Sequence, residues 1–329
     1  MHNKSCIDAF KNLSIRNDAG ILQLSTCCQA VHNPENIINF YNNDFLNSIR
    51  QSWNNGISPS ACFMCKDAED GNFQSRRQGT NEWYKDRDLY NNEVELIRLD
   101  IWVGDLCNLA CCICGPMDSS RWKQELNYPT KNKKVTINDN WKLLDLSKIQ
   151  FVHFNGGEPL LNKEHVRLLE AIPNKAEVHI NYNTNGTILP GDNLLNLWSK
   201  FKLVQLDFSI DDIDDRFEYQ RYPAKWSDVK NNLKWFYDNC DVNTMFAVNT
   251  TVSILNHSNL NNLNAWLMEN FISNKIGDPV EYRKQYAVGP MALNGFADRK
   301  TKIIEFLDDC DKRRGSDWRA TFPELTKLL

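Results

Sequence analysis

The feature that most constrains this chain is a strand-like run that ends in a cluster of cysteines, ELIRLDIWVGDLCNLACCIC starting at Glu95. Ile97, Leu99, Ile101 and Val103 alternate with Arg98, Asp100 and Trp102, the period of a strand whose two faces meet different surroundings. The run stops at Gly104, and three residues later come Cys107, Cys111 and Cys114 in the spacing CxxxCxxC, with Cys112 as an extra thiol inside the loop. Thiolates this close in sequence can converge on one iron-sulfur cluster, and three ligands leave one iron without a protein partner. An open metal position is where a small molecule binds and reacts. The competing reading of the same triplet is a zinc site or a chance run of buried thiols.

Composition narrows the setting. With 329 residues there is room for about two domains and a sizeable core. Lys and Arg total 38 against 42 Asp and Glu, a net charge of -4, which weighs against nucleic acid as a partner. The opening MHNKSCIDAF is polar and mixed and no long apolar run follows, so neither signal peptide nor membrane span is expected and the chain reads as cytoplasmic. Eleven cysteines, most of them in two groups of a chain of this kind, favour metal binding over a disulfide framework. The polar stretch 127–140, with Lys131, Lys133 and Lys134, reads as an exposed loop.

Residues 1–95 form a first unit with Cys6, the pair Cys27 and Cys28, and Cys62 with Cys65. A Cys-x-x-Cys run chelates a metal from one turn, and a hairpin through Gly20 would bring in Cys6 and either Cys27 or Cys28 to make a closed four-ligand site. The thiolates suit zinc as well as a cluster. Residues 96–299 alternate strands and helices, as βα units on a parallel sheet do. Strands are expected at Leu96–Val103, Ile149–Asn155, Glu177–Asn183, Leu203–Ile210 and Phe246–Ser253, with helices at Glu164–Ala171, Asn193–Phe201 and Ser227–Asn239. These five strands make the fold class α/β and give the skeleton of a partial TIM-like barrel, expected to be (β/α)6, preceded by a small cysteine-rich domain. Residues 300–329 form a helical tail that closes the open side of the barrel.

The strands alternate where buried parallel strands normally run apolar throughout. Val204, Leu206, Phe208 and Ile210 interleave with Gln205, Asp207 and Ser209; Val178, Ile180 and Tyr182 with His179, Asn181 and Asn183; Phe246, Val248 and Val252 with Asn249, Thr251 and Ser253. If the apolar set faces the helices, the polar set lines a lumen suited to a polar ligand. His153 and His179 read as interior histidines, Cys240 and Cys310 as isolated structural cysteines. Functional turns belong after the strands. The second ends in Asn155-Gly156-Gly157-Glu158-Pro159, where two glycines allow close backbone approach and Glu158 offers a carboxylate to an ammonium group.

CxxxCxxC after a first strand, with Gly156-Gly157-Glu158-Pro159 one βα unit later, resembles the radical S-adenosylmethionine (radical SAM) enzymes. The resemblance implies a 4Fe-4S cluster on Cys107, Cys111 and Cys114 and S-adenosylmethionine bound at its open iron, with Gly156, Gly157, Glu158 and Pro159 at the amino group of that cofactor. Asn183 and Asn185 then resemble the family's TNG turn, and Ser209 with Asp211 the SxD segment that faces ribose and carboxylate. Arg221 would pair with the carboxylate, Ile113 would stand against adenine where relatives often carry an aromatic residue, and Asn249 would face the cofactor from the lumen. The amino-terminal unit resembles twitch or SPASM-type modules through Cys6, Gly20, Cys27, Cys28 and the run CFMCKDAEDGNFQSRR from Cys62, although it precedes the barrel; this implies an auxiliary 4Fe-4S cluster. The implied activity is reductive cleavage of S-adenosylmethionine to a 5'-deoxyadenosyl radical that abstracts hydrogen from a substrate, with a reductant such as flavodoxin or ferredoxin as partner. A peptide or protein side chain is the leading substrate class. A nucleotide or small metabolite, or a non-catalytic iron-sulfur or zinc protein, are the alternatives.

Overall fold

The alternating strands assemble into one mostly parallel sheet. A computed structural model describes residues 5–18, 21–35, 38–128, 141, 143–270, 280–287, 291–293 and 296–329. Gly20 and most of the stretch 127–140, including Lys131, Lys133 and Lys134, lie outside the described residues. In chain order come α1 (Asp8–Lys11), β1 (Asn12–Asp18), β2 (Ile21–Ser25), β3 (Asn33–Glu35), α2 (Asp44–Asn54), α3 (Phe63–Asp70), α4 (Arg76–Lys85), β4 (Arg98–Trp102) and α5 (Ser120–Glu125). Then β5 (Phe151–Asn155), α6 (Glu164–Ala171), β6 (His179–Thr184), α7 (Asp192–Trp198), β7 (Leu203–Ser209), α8 (Asp214–Gln220), α9 (Trp226–Asn239), β8 (Thr244–Val252), α10 (Leu260–Asn270) and β9 (Glu281–Tyr286) follow. The described chain ends in α11 (Lys300–Arg314), α12 (Trp318–Thr321) and α13 (Pro323–Thr326).

The sheet order is β3-β2-β1-β4-β5-β6-β7-β8-β9. Strands β4 to β9 pair in parallel in chain order, the arrangement of a partial (β/α)6 barrel. Leu96, Ile149 and Glu177, expected to open strands, each stand two residues ahead of the ladder; Leu96 and Ile149 are buried, so the apolar pattern runs past the pairing. The amino-terminal segment, expected to fold back in a hairpin through Gly20, adds three strands to the same sheet. β1 pairs in parallel with β4, Asn12 opposite Arg98 through Ile15 opposite Ile101, and β2 and β3 continue antiparallel beyond it.

The two faces divide as their alternation dictates. Val152, Phe154, Ile180, Tyr182, Val204, Leu206, Phe208 and Val248 are buried in one core with Leu168, Leu197, Val229, Leu233, Phe236 and Leu263 from the helices. Leu13, Ile15 and Leu24 from the first strands belong to the same core. The opposite face carries a cross-strand row of Ser14, Asp100, His153, Asn181 and Gln205, then Ser209, Asn249 and Arg283 towards the carboxyl ends. Helix α2 shows the local logic: the Asn43 side chain accepts from the Leu46 amide at 2.9 Å, and Leu46, Ile49, Arg50 and Trp53, spaced on one helical face, are its buried residues.

Candidate functional site

The cysteine loop that follows β4 is fixed from three sides. Ser120 Oγ accepts from the Cys107 amide and donates to the Cys107 carbonyl, both at 3.0 Å. Trp122 Nε1 donates to the Cys111 carbonyl at 2.9 Å. The Ala110 and Cys112 amides donate to the carbonyls of Tyr222, just past α8, and of Gln220, its last residue, at 2.7 and 2.8 Å. From α11, Arg314 donates to the Ala110 carbonyl at 2.8 Å and pairs with Glu125 at 3.0 Å. The tail thus packs against the cysteine loop. It also places Cys310 within hydrogen-bonding reach of Cys112, so Cys310 is not the isolated residue that its sequence position suggests.

Burial pushes the thiols of Cys107 and Cys111 up, and that of Cys114 to about 12, so they bind a metal only as thiolates, with their protons lost to solvent. The donor set fits an iron-sulfur cluster. Three thiols share one loop, the Leu109 amide points at Cys107 Sγ at 3.4 Å, and Arg221 Nη1 lies 4.0 Å from Cys111 Sγ; hydrogen bonds to cluster sulfurs are among the contacts that tune such centres.

The turn after β5 is stapled to this loop. The Gly157 amide donates to the Gly104 carbonyl and the Glu158 amide to the Leu106 carbonyl, both at 2.8 Å. A side chain on Gly157 would put its Cβ 2.4 Å from the Leu106 carbonyl oxygen, and one on Gly156, at φ +122°, would lie 2.7 Å from that of Gly104. The close approach that these glycines permit is therefore to the cysteine loop itself. Glu158 is fully buried. Its carboxylate accepts from the Leu160 amide at 3.1 Å, Thr184 Oγ1 at 2.9 Å and the Asn185 amide at 2.7 Å, tying the GGEP turn to the turn after β6. Burial pushes its carboxyl up to about 7, against those hydrogen bonds. Pro159 follows directly and is buried.

Asn185 extends the network: its Nδ2 donates to Asn108 Oδ1 at 3.0 Å, between Cys107 and Cys111 in the chain, while its Oδ1 accepts from Thr187. Asn183 lies half-buried on the polar face of β6. At the end of β7, Ser209 is half-buried opposite Asn249. Asp211, 1% exposed, accepts from the Thr251 amide at 2.8 Å and pairs with Arg221 at 2.8 Å. Arg221 is thereby a buried link between the SxD segment and Cys111. Ile113 packs between the main core and that of the tail. All these groups gather at the carboxyl ends of the strands.

The amino-terminal thiols divide in a way the sequence left open. Cys6, Cys27, Cys62 and Cys65 line one small cavity with Trp53, Arg76 and Arg77. Cys28 lies apart from it, with Asp100 and His153 of the polar face. His179, its proton affinity lowered by burial and by Arg98, packs edge-on against Phe151 at 4.8 Å, an interior histidine.

Residues 103–258 match the family model described as the Radical SAM superfamily. This stretch is a radical SAM domain. It spans the cysteine loop and the turns after β5, β6 and β7, and it is a domain of an enzyme superfamily. Among curated proteins, GTP 3',8-cyclase of Clostridium acetobutylicum is 31% identical over 107 residues, 31% of this chain and 31% of that protein. The 7-carboxy-7-deazaguanine synthase of Rhodopirellula baltica is 35% identical over 98 residues, 29% of this chain and 35% of that protein. The chain thus spans about a third of the length of these two relatives. Among solved structures, native anSMEcpe with bound AdoMet aligns with a TM-score of 0.43 at 17% identity, over 67% of this chain and 62% of that one. Among the described residues no helix is long and apolar enough to cross a membrane.

Proposed function

We propose that the chain is a radical SAM enzyme acting on a nucleotide or a related heterocycle, with a 4Fe-4S cluster held by Cys107, Cys111 and Cys114. The observation that carries the radical SAM reading is the coupling of two chemistries in one structure: the thiol loop and the GGEP turn are bonded to each other, and Glu158 bonds that turn to Asn185. When bound, the cluster and S-adenosylmethionine supply a hydrogen-abstracting radical by reductive cleavage, with electrons from an external reductant. The chain's own residues position and enclose. Gly156, Gly157 and Pro159 set the turn, the remaining acceptor capacity of Glu158 would meet the cofactor's ammonium group, and Asn183, Ser209 and Asn249 from the strands, with Asp211 after β7 and Arg221 after α8, would border it. Ile113 would offer an aliphatic contact to adenine.

The substrate class rests on the relatives, whose names speak of GTP and of a deazaguanine. The peptide expected from an auxiliary-module resemblance gains no support from them. Polar groups on the inner face, Asn181, Asn249 and Arg283 among them, suit a heterocycle with several donors and acceptors. In the amino-terminal part, up to residue 95, Cys6, Cys27, Cys62 and Cys65 around one cavity support a second cluster, with Cys27 as the ligand from the adjacent pair.

The test is anaerobic. Reconstituted protein is given S-adenosylmethionine and dithionite with guanine nucleotides, other nucleotides or peptides in turn, and 5'-deoxyadenosine is measured. Formation stimulated by a nucleotide is expected. Absence of S-adenosylmethionine binding sinks the radical reading, and stimulation by peptides alone sinks the substrate class.

A further inference from the structure

Beside the thiols already discussed stands a second kind of donor set. Cys28, Asp100 and His153 each offer one ligand atom, and the three atoms lie within 4.8 Å of one another, the one such trio among the described residues. Asp100 and His153 are register partners on β4 and β5, and Cys28 reaches them from the turn after β2. We propose that these three residues bind one zinc-type divalent cation on the polar face of the sheet.

The geometry around Asp100 carries the argument. Its Oδ2 accepts from Arg76 Nη2 at 2.8 Å, Asn12 Nδ2 at 2.8 Å and the Cys28 amide at 3.3 Å. Three donors saturate one oxygen and leave Oδ1 turned to His153 Nδ1, 3.2 Å away. Outer hydrogen bonds of this kind orient carboxylates that ligate metals. The 3.2 Å spacing matches the roughly 3.3 Å between neighbouring donors on a tetrahedral ion with bonds of about 2.0 Å. Thiolate, imidazole and carboxylate together suit zinc, whereas magnesium and calcium select oxygen ligands. Asp100 is 1% exposed, so its charge is already isolated from water. Arg76 both bonds Asp100 and lines the four-thiol cavity, which keeps the two sets of thiols apart. Three protein ligands leave a fourth position open towards the inner face, where an oxygen or nitrogen of a substrate can bind.

The site uses none of Cys107, Cys111 or Cys114, nor the four thiols of the amino-terminal cavity, so its failure is distinguishable from failure of the radical reading. Full-length protein with its clusters loaded is equilibrated anaerobically with zinc chloride, passed over a weak chelator, and assayed for iron and zinc in the same sample. The expected result is about one zinc per chain, with Cys28→Ser and His153→Gln weakening zinc binding at least about tenfold while iron is unchanged. X-ray absorption at the zinc edge of the unmutated protein is expected to give a mixed shell with one sulfur, and it decides the matter even if a variant fails to fold. Absence of zinc, zinc retained in both variants, or a shell of sulfur alone overturns the proposal.

Discussion

Single residues at the GGEP turn carry unusual weight because two backbones touch there. Gly157 has no room for a side chain, its Cβ position lying 2.4 Å from a carbonyl oxygen of the cysteine loop. Gly157→Ala is expected to cost about 3 kcal/mol, as overpacking against backbone does, and to lower the iron bound per chain; denaturant titration and iron assay of the variant check both. Glu158 links pH to stability. Its carboxyl stands at about 7 in the fold, above the ordinary 4.5, because it is buried. Between those values the folded chain keeps a proton that the unfolded chain has released, so stability is greatest below the lower value and declines as the pH rises towards the upper one. For a shift of this size the decline is about 3 kcal/mol. Unfolding free energies of protein free of S-adenosylmethionine, measured across that range, are expected to show this slope, and Glu158→Gln to flatten it. A slope of opposite sign would mean that the hydrogen bonds from Leu160, Thr184 and Asn185 outweigh burial.

At the scale of elements, the cysteine loop has no regular structure of its own and borrows order from its neighbours. Helix α5 holds it through Ser120 and Trp122, the carboxyl end of α8 and the residues just past it through the Gln220 and Tyr222 carbonyls, and α11 through Arg314. Arg314 also lies 4.8 Å over the rings of both Trp122 and Tyr222, so one guanidinium joins three elements. Arg314→Ala leaves the buried side chain of Glu125 with only Arg313, 2.9 Å away, as a cationic partner among the pairs described. A loss of about 3 kcal/mol is expected from breaking such a buried pair, with faster loss of cluster iron under chelator than in the unmutated protein. Thermal melting and a chelation time course measure the two effects separately, and unchanged iron release would show that α5 and the carboxyl end of α8 suffice to hold the loop.

For the whole molecule, the cysteine-rich amino-terminal segment and the radical SAM domain share a sheet and a core. Removing residues 1–95 would strip β1 from β4 and expose the apolar face where Leu13 and Ile15 lie beside Leu99 and Ile101. An unpaired apolar edge invites association with other chains. Residues 96–329 expressed alone are therefore expected to aggregate, and recovery of a soluble monomer by size-exclusion chromatography would show the two parts to be separable. The sequence by itself determined the strand periods, the CxxxCxxC loop, the GGEP turn and the polarity of the inner face, because each is written in spacing along a few consecutive residues. Helix α6 is found at its expected limits for the same reason. Only the tertiary structure decided that Cys27 faces the four-thiol cavity while Cys28 joins Asp100 and His153, that Cys310 meets Cys112, and that Gly157 packs on Leu106. These are contacts between residues far apart in the chain, set by how β1 aligns with β4 and where the tail docks; local spacing carries no record of them, since which side of a turn a side chain faces is fixed by the surface that turn packs against.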